Sequence, residues 1–118
     1  MPARNPLLAA PPYQVEQALK TLGGNLRTAR LRRNLSIENV AAKIGVGRHV
    51  VADAEKGKPS TGIAIYAGLL WAFGLAEQLA RVADPDTDEE GRLLAKRGER
   101  VHARSSRATG YGALDNDF

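Results

Sequence analysis

Ser36-Ile-Glu-Asn-Val-Ala-Ala-Lys-Ile-Gly-Val-Gly-Arg-His-Val-Val-Ala-Asp-Ala-Glu-Lys-Gly57 is the stretch whose pattern decides how this chain folds. Ser36 suits a helix start, because its hydroxyl can accept an orphan backbone N–H. Glu38 then puts negative charge in the first turn, where the helix dipole favours it. Val40, Ala41 and Ile44 recur at helical spacing and define one apolar face. Gly45 suits the left-handed conformation that ends a helix. Gly47 opens a second helix, Arg48–Lys56, in which Val50, Val51 and Ala54 point to a core while Val46 packs in the turn before it. Gly57 ends that helix and Lys58-Pro59 prevents its continuation.

Upstream, Val15, Ala18, Leu19, Leu22, Leu26 and Ala29 keep a helical period from Tyr13 onward. Gly23-Gly24 interrupts it at about 2 kcal/mol relative to two alanines. The pair predicts either a break near Leu22–Gly24 or a weak spot in a longer helix, with Asn25–Arg33 the firmer part. Residues 1–12 carry Pro2, Pro6, Pro11 and Pro12 and are expected to form an extended, mobile arm. Downstream, Gly62–Phe73 is apolar at Ile63, Tyr66, Leu69, Leu70 and Phe73, and Gly74 caps it. Ala76–Val82 is a further amphipathic helix through Leu79 and Val82. Asp84-Pro85-Asp86 is a turn, and Glu89–Val101 is a candidate helix with Leu93 and Leu94 on its apolar side. The expected organisation is an arm over 1–12, a helical domain over 13–83, an extra helix within 84–104 and a polar tail over 105–118, disordered when alone.

Composition agrees with an all-α fold. The 118 residues are 43% hydrophobic but only 5% aromatic, so the core must be built from Leu, Val, Ile and Ala. The absence of cysteine excludes disulfides and thiolate metal sites, and two widely spaced histidines do not suggest a metal site. No cofactor is expected. No apolar run approaches the roughly 18 residues of a membrane span, and the first twelve residues are too proline-interrupted for a signal peptide. A cytoplasmic protein without membrane association is the expectation. Net charge is +4. Residues 1–60 are basic, Asp84, Asp86, Asp88, Glu89 and Glu90 form an acidic cluster, and Arg92, Lys96, Arg97, Arg100, Arg104 and Arg107 follow it. Two basic regions suit a polyanionic partner or form a solvated surface. Catalytic patterns are missing. Gly57-Lys-Pro-Ser lacks the earlier glycine of a phosphate loop, and Gly45-Val-Gly47 lacks the third glycine of a dinucleotide fingerprint. No enzyme is expected.

Small Ala41 lets the second helix cross the first closely, at roughly 90–120°. That leaves Arg48–Lys56 projecting with its N-terminal residues exposed, the geometry with which a helix enters a DNA major groove. Leu26, Arg30, Leu35-Ser36, Val40-Ala41, Ile44-Gly45-Val46, Val51, Glu55, Gly57 and a Leu-Trp-Ala-Phe-Gly-Leu ending, spread over Leu22–Leu75, together resemble the Xre/Cro/phage-repressor helix-turn-helix family. The resemblance implies a five-helix, lambda-repressor-like DNA-binding domain that acts as a homodimer on double-stranded operator DNA. It makes Arg48–Lys56 the reading helix, with Arg48, His49 and Asp53 toward base edges. Arginine can bond guanine O6 and N7 in a bidentate manner, and a carboxylate can accept from cytosine N4. Phosphate contacts are implied at Ser36, where helix amides can grip an anion, and at Lys43, Gly47, Lys56 and Lys58. Arg30 and Glu55 are implied to pair and fix that helix, or Arg30 also reaches a phosphate. Gly47 stands where Ser or Thr is common, Ile37 and Asn39 replace the usual polar residue and Glu, and Ala64 replaces a basic contact.

Leu69–Leu75, Val82–Gly91 and the arginine-rich stretch after them are similar to Xre-type, HipB-like antitoxins. That similarity implies an autorepressor of a toxin–antitoxin operon that also neutralises a HipA-like kinase toxin. A stand-alone transcriptional repressor and a protein-interaction adaptor that has lost DNA binding are the alternatives.

Overall fold

The computed structural model describes residues 5–109, and among them every regular element is a helix. Helix α1 is a single turn, Pro6–Ala9. It corrects the expectation of an extended arm. Asn5 accepts from the Leu7 amide at 3.0 Å and Pro6 occupies the first helical position, a strong local start signal in which proline favours helix. Helix α2 runs unbroken over Tyr13–Arg32. It ends with Asn34 in the left-handed conformation, φ 55°. There the Leu35 amide reaches back to the Arg30 carbonyl and the Asn34 amide to that of Leu31, the double closure typical of a helix C-terminus.

Helix α3, Ile37–Ile44, and helix α4, Arg48–Glu55, are joined by Gly45-Val46-Gly47. Ser36 starts α3 with a capping box, its hydroxyl accepting from the Asn39 amide while the Asn39 side chain accepts from the Ser36 amide. Gly45 takes φ 77°, and the amides of Gly45 and Val46 both bond the Ala41 carbonyl. Helix α5, Ile63–Ala72, carries no charge at all. It buries Tyr66, Leu69 and Leu70, with Phe73 just beyond its end, and leaves Ile63 and Trp71 in solvent.

The core consists of Leu26 from α2, Val40 and Ala41 from α3, Val51 and Ala54 from α4, and the α5 residues with Phe73. Leu22, Ala29, Leu35, Ile44, Val46 and Leu79 pack around it. Val50, expected in this core beside Val51, is only half-buried. Ala76–Arg81, expected as an amphipathic α-helix to Val82, is a 3-10 helix. Leu79 packs on the core while Val82 is exposed.

The chain divides into units Met1–Ala80 and Arg81–Phe118. In the second, Asp84 accepts from the Asp86 amide at 2.9 Å to make the expected turn. Asp88 accepts from the Gly91 amide and so caps helix α6, Glu89–Thr109. This helix overruns its expected end at Val101, so residues 105–109 of the expected disordered tail are helical. The remainder of that tail lies outside the described residues.

Gly23 explains why α2 does not break. A Cβ there would lie 2.6 Å from the carbonyl oxygens of both Ala54 and Glu55. The glycine therefore marks the place where the backbone end of α4 rests on α2. Gly57, just past α4, repeats the contact. It adopts φ 71°, and a Cβ on it would meet the Leu19 carbonyl oxygen at 2.5 Å. Gly24 has nothing within 4 Å of its own Cβ position. Adjacent substitutions should therefore have opposite signs in urea or thermal unfolding. Gly24→Ala is expected to stabilise by about 0.5–1 kcal/mol, and Gly23→Ala to destabilise by about 3 kcal/mol, because the obstructing atoms are backbone.

Candidate nucleic-acid interface

Helix α4 is held from behind by one ion pair. The Arg30 guanidinium donates through Nε to Glu55 Oε2 at 2.6 Å and through Nη2 to Oε1 at 3.0 Å. Its Nη1 donates to the Leu35 carbonyl at 2.9 Å. The two side chains are 8% and 6% exposed. The fork thus joins the end of α4, the last turn of α2 and the turn that leads into α3. Donating to the Glu55 carboxylate raises the Arg30 pKa above its ordinary value. Burial opposes that shift, and the charges of Glu55 and Glu38 add to it. This geometry gives Arg30 the ion pair with Glu55 that was expected of it.

The first turn of α4 faces solvent. Arg48 and His49 are both exposed there, beside a surface cleft of about 430 Å³ that Arg30, Ser36, Ile37 and Glu38 also line. His49 borders a second cleft of about 240 Å³ with Asp53, Thr61 and Gly62, so it stands on the ridge between them. Its imidazole folds back over Gly47, and a Cβ at Gly47 would lie 2.8–2.9 Å from ring atoms. The ring thus occupies the space that a side chain at this N-cap would need.

The expected contact residues are not all brought together. Ser36 commits its amide to the capping box and its hydroxyl oxygen accepts there, so the hydroxyl proton is the donor it keeps for an anion. Lys43 sits over the Trp71 ring, 5.4 Å from its centroid, a cation–π arrangement that draws it toward α5. Asp53 binds Lys58 at 3.1 Å between Oδ1 and Nζ. Lys56 is exposed just past α4. Sequence reasoning missed Glu38, whose Oε2 accepts from Arg48 Nη1 at 2.9 Å. The signal available was one of charge alone, an acid in the first turn of α3 and a base in the first turn of α4.

Glu38 is held below the ordinary carboxylate range, first by a hydrogen bond from its own backbone amide and then by Arg48. Because its folded-state pKa lies below the unfolded value, the stabilisation from this pair is complete above the ordinary carboxylate range. It is lost as pH falls through the depressed folded value. No protein-family model matches this chain, and no curated protein matches it.

The buried pair sets a clear expectation for stability. Glu55→Ala strands the Arg30 charge and should lower unfolding free energy by about 3–5 kcal/mol. Asp53→Ala, which opens the half-exposed pair to Lys58, should cost no more than about 1 kcal/mol. Chemical denaturation of the two variants side by side checks both values.

Proposed function

We propose that this protein is a sequence-specific DNA-binding transcriptional regulator of the lambda-repressor-like helix-turn-helix type, with α4 as its reading helix. The observation that carries the reading is the pairing of an anchored C-terminal end with an exposed first turn on one short helix. Arg30–Glu55 and the backbone contacts at Gly23 and Gly57 anchor the end, and Arg48 and His49 are exposed in the first turn. A groove-reading helix needs both properties, since direct readout depends on side chains held in register with base edges. Arg48 and His49 take the base edges, Lys56 and Lys58 the phosphates. Asp53 contacts a base only where Lys58 has left it for a phosphate.

The finer assignment is an antitoxin that works as a homodimer in the cytoplasm, represses its own operon and neutralises a HipA-like kinase toxin. It rests on the similarity of Leu69–Leu75, Val82–Gly91 and the following basic stretch to such antitoxins. Exposed Val82, Leu93 and Leu94 supply apolar surface for a partner. No catalytic role is proposed. Among the described residues, no helix is long and apolar enough to cross a membrane. The adaptor reading has one observation in its favour. Arg48 and Lys58 are each engaged by an acid of the same chain, which lowers the positive charge presented to a polyanion.

Titration of the protein with its own upstream DNA and with a scrambled duplex, at several salt concentrations, separates the readings. The regulator is expected to prefer its own upstream DNA and to show a steep negative dependence of log affinity on log salt. Arg48→Ala should weaken specific binding by about 1–3 kcal/mol. Equal affinity for the two duplexes together with indifference to Arg48→Ala would leave the adaptor. Co-purification with the product of a neighbouring kinase-like gene tests the antitoxin assignment.

A further inference from the structure

The contact between Arg48 and Glu38 joins the first turn of α4 to the first turn of α3, and both residues line the larger of the two clefts beside His49. It is a single hydrogen-bonded ion pair through Nη1. The partners are 73% and 60% exposed, so it can open without disturbing the core. Its exposure, on the surface assigned above to DNA, sets it apart from the Arg30–Glu55 pair, which is buried although Arg30 lines the same cleft. The Asp53–Lys58 pair differs as well, since Lys58 lies beyond α4 and not in its first turn.

We propose that Glu38 is a specificity-determining residue, an intramolecular competitor that holds Arg48 until a base edge of matching geometry replaces it. The inference rests on the DNA-binding reading of α4. While the pair is closed, Arg48 and Glu38 together add no net charge to the surface, and a loosely docked duplex meets a carboxylate beside the guanidinium. Exchanging Glu38 for one phosphate oxygen swaps one anionic acceptor for another and leaves Glu38 unpaired beside a polyanion. Exchange for a guanine offers two acceptors, O6 and N7, to the planar fork at once. A non-cognate backbone therefore gains little by opening the pair, whereas a correctly placed guanine gains a bidentate contact. Glu38 acts against wrong partners, the mode of discrimination in which an unfavourable element is built in against competitors.

The test uses the full chain with Glu38→Gln, Arg48→Ala and the double variant, each titrated with upstream DNA and with a scrambled duplex of the same composition over a salt series. Glu38→Gln removes the charge but keeps the length and polarity of the side chain, and exposure of the pair predicts an unchanged helical circular-dichroism spectrum. With Glu38→Gln, affinity for the scrambled duplex is expected to rise about 3–10-fold. The slope of log affinity against log salt on that duplex should steepen by about 0.9, the value of one added phosphate contact. The ratio of specific to non-specific affinity should fall. Both gains should vanish in the double variant, since Arg48 is the cation being released. An equal gain on both duplexes with an unchanged ratio would overturn the inference, and so would a gain that persists without Arg48. Wild-type binding that is specific and sensitive to Arg48→Ala, but indifferent to Glu38→Gln, would overturn this inference alone. Absence of binding to any duplex would overturn the DNA-binding reading and this inference with it.

Discussion

The buried fork of Arg30 on Glu55 is the constraint from which the rest of the first unit follows. A charged guanidinium in an apolar setting needs its donors satisfied, and Arg30 meets that need with three acceptor oxygens from two places, Glu55 and Leu35. Those acceptors fix where α4 ends and where the chain turns from α2 into α3. The hydrophobic contacts of Leu26, Val40 and Val51 favour closeness but are not directional. The fork selects one orientation among the close packings. Any substitution that loosens it should move the exposed first turn of α4, whose cleft Arg30 also lines.

The interface proposed for α4 carries a small net charge for a DNA-binding surface. Arg48 and Lys58 are both neutralised by acids of the same chain, and Lys43 is turned toward Trp71. Electrostatic attraction to the phosphate backbone supplies most non-specific affinity. A surface that hides its cations must therefore draw its affinity from base contacts, or from a second copy or another chain that brings more charge. A dimeric regulator that also works with a protein partner suits this balance better than a monomer does.

Much of this was legible in the residues. Ser36, Gly45 and Gly57 announce helix ends by local chemistry alone, and the structure has each in that role. The core positions Val40, Ala41, Val51 and Ala54 follow from helical spacing. What spacing cannot convey is contact between segments distant in sequence. Gly23 reads locally as a weakness and is instead the seat of the α4 backbone. Val50 reads as core and is half-buried, because α4 shows its outer side there. The Ala76–Arg81 segment tightens into a 3-10 helix that a periodicity argument does not distinguish from an α-helix. Glu38 looks like a helix-dipole residue, and its pairing with Arg48 depends on how two helices meet. The turn at Pro6–Ala9 was written in Asn5-Pro6 but was outweighed by the prolines around it.

Gly23 and Gly57 have a consequence for how this architecture can change over time. The seat of α4 on α2 is made of main-chain atoms at two points where no side chain fits. The position of that helix thus depends on glycine at two sites far from its first turn, together with the buried Arg30–Glu55 fork. Arg48 and Asp53 add only exposed or half-exposed ion pairs to the fold, which are worth little. The scaffold can therefore accept new side chains at positions 48, 49 and 53, one at a time, at a small cost in stability. A lineage built on it can vary the surface that α4 presents by point substitution while the seat of the helix is held.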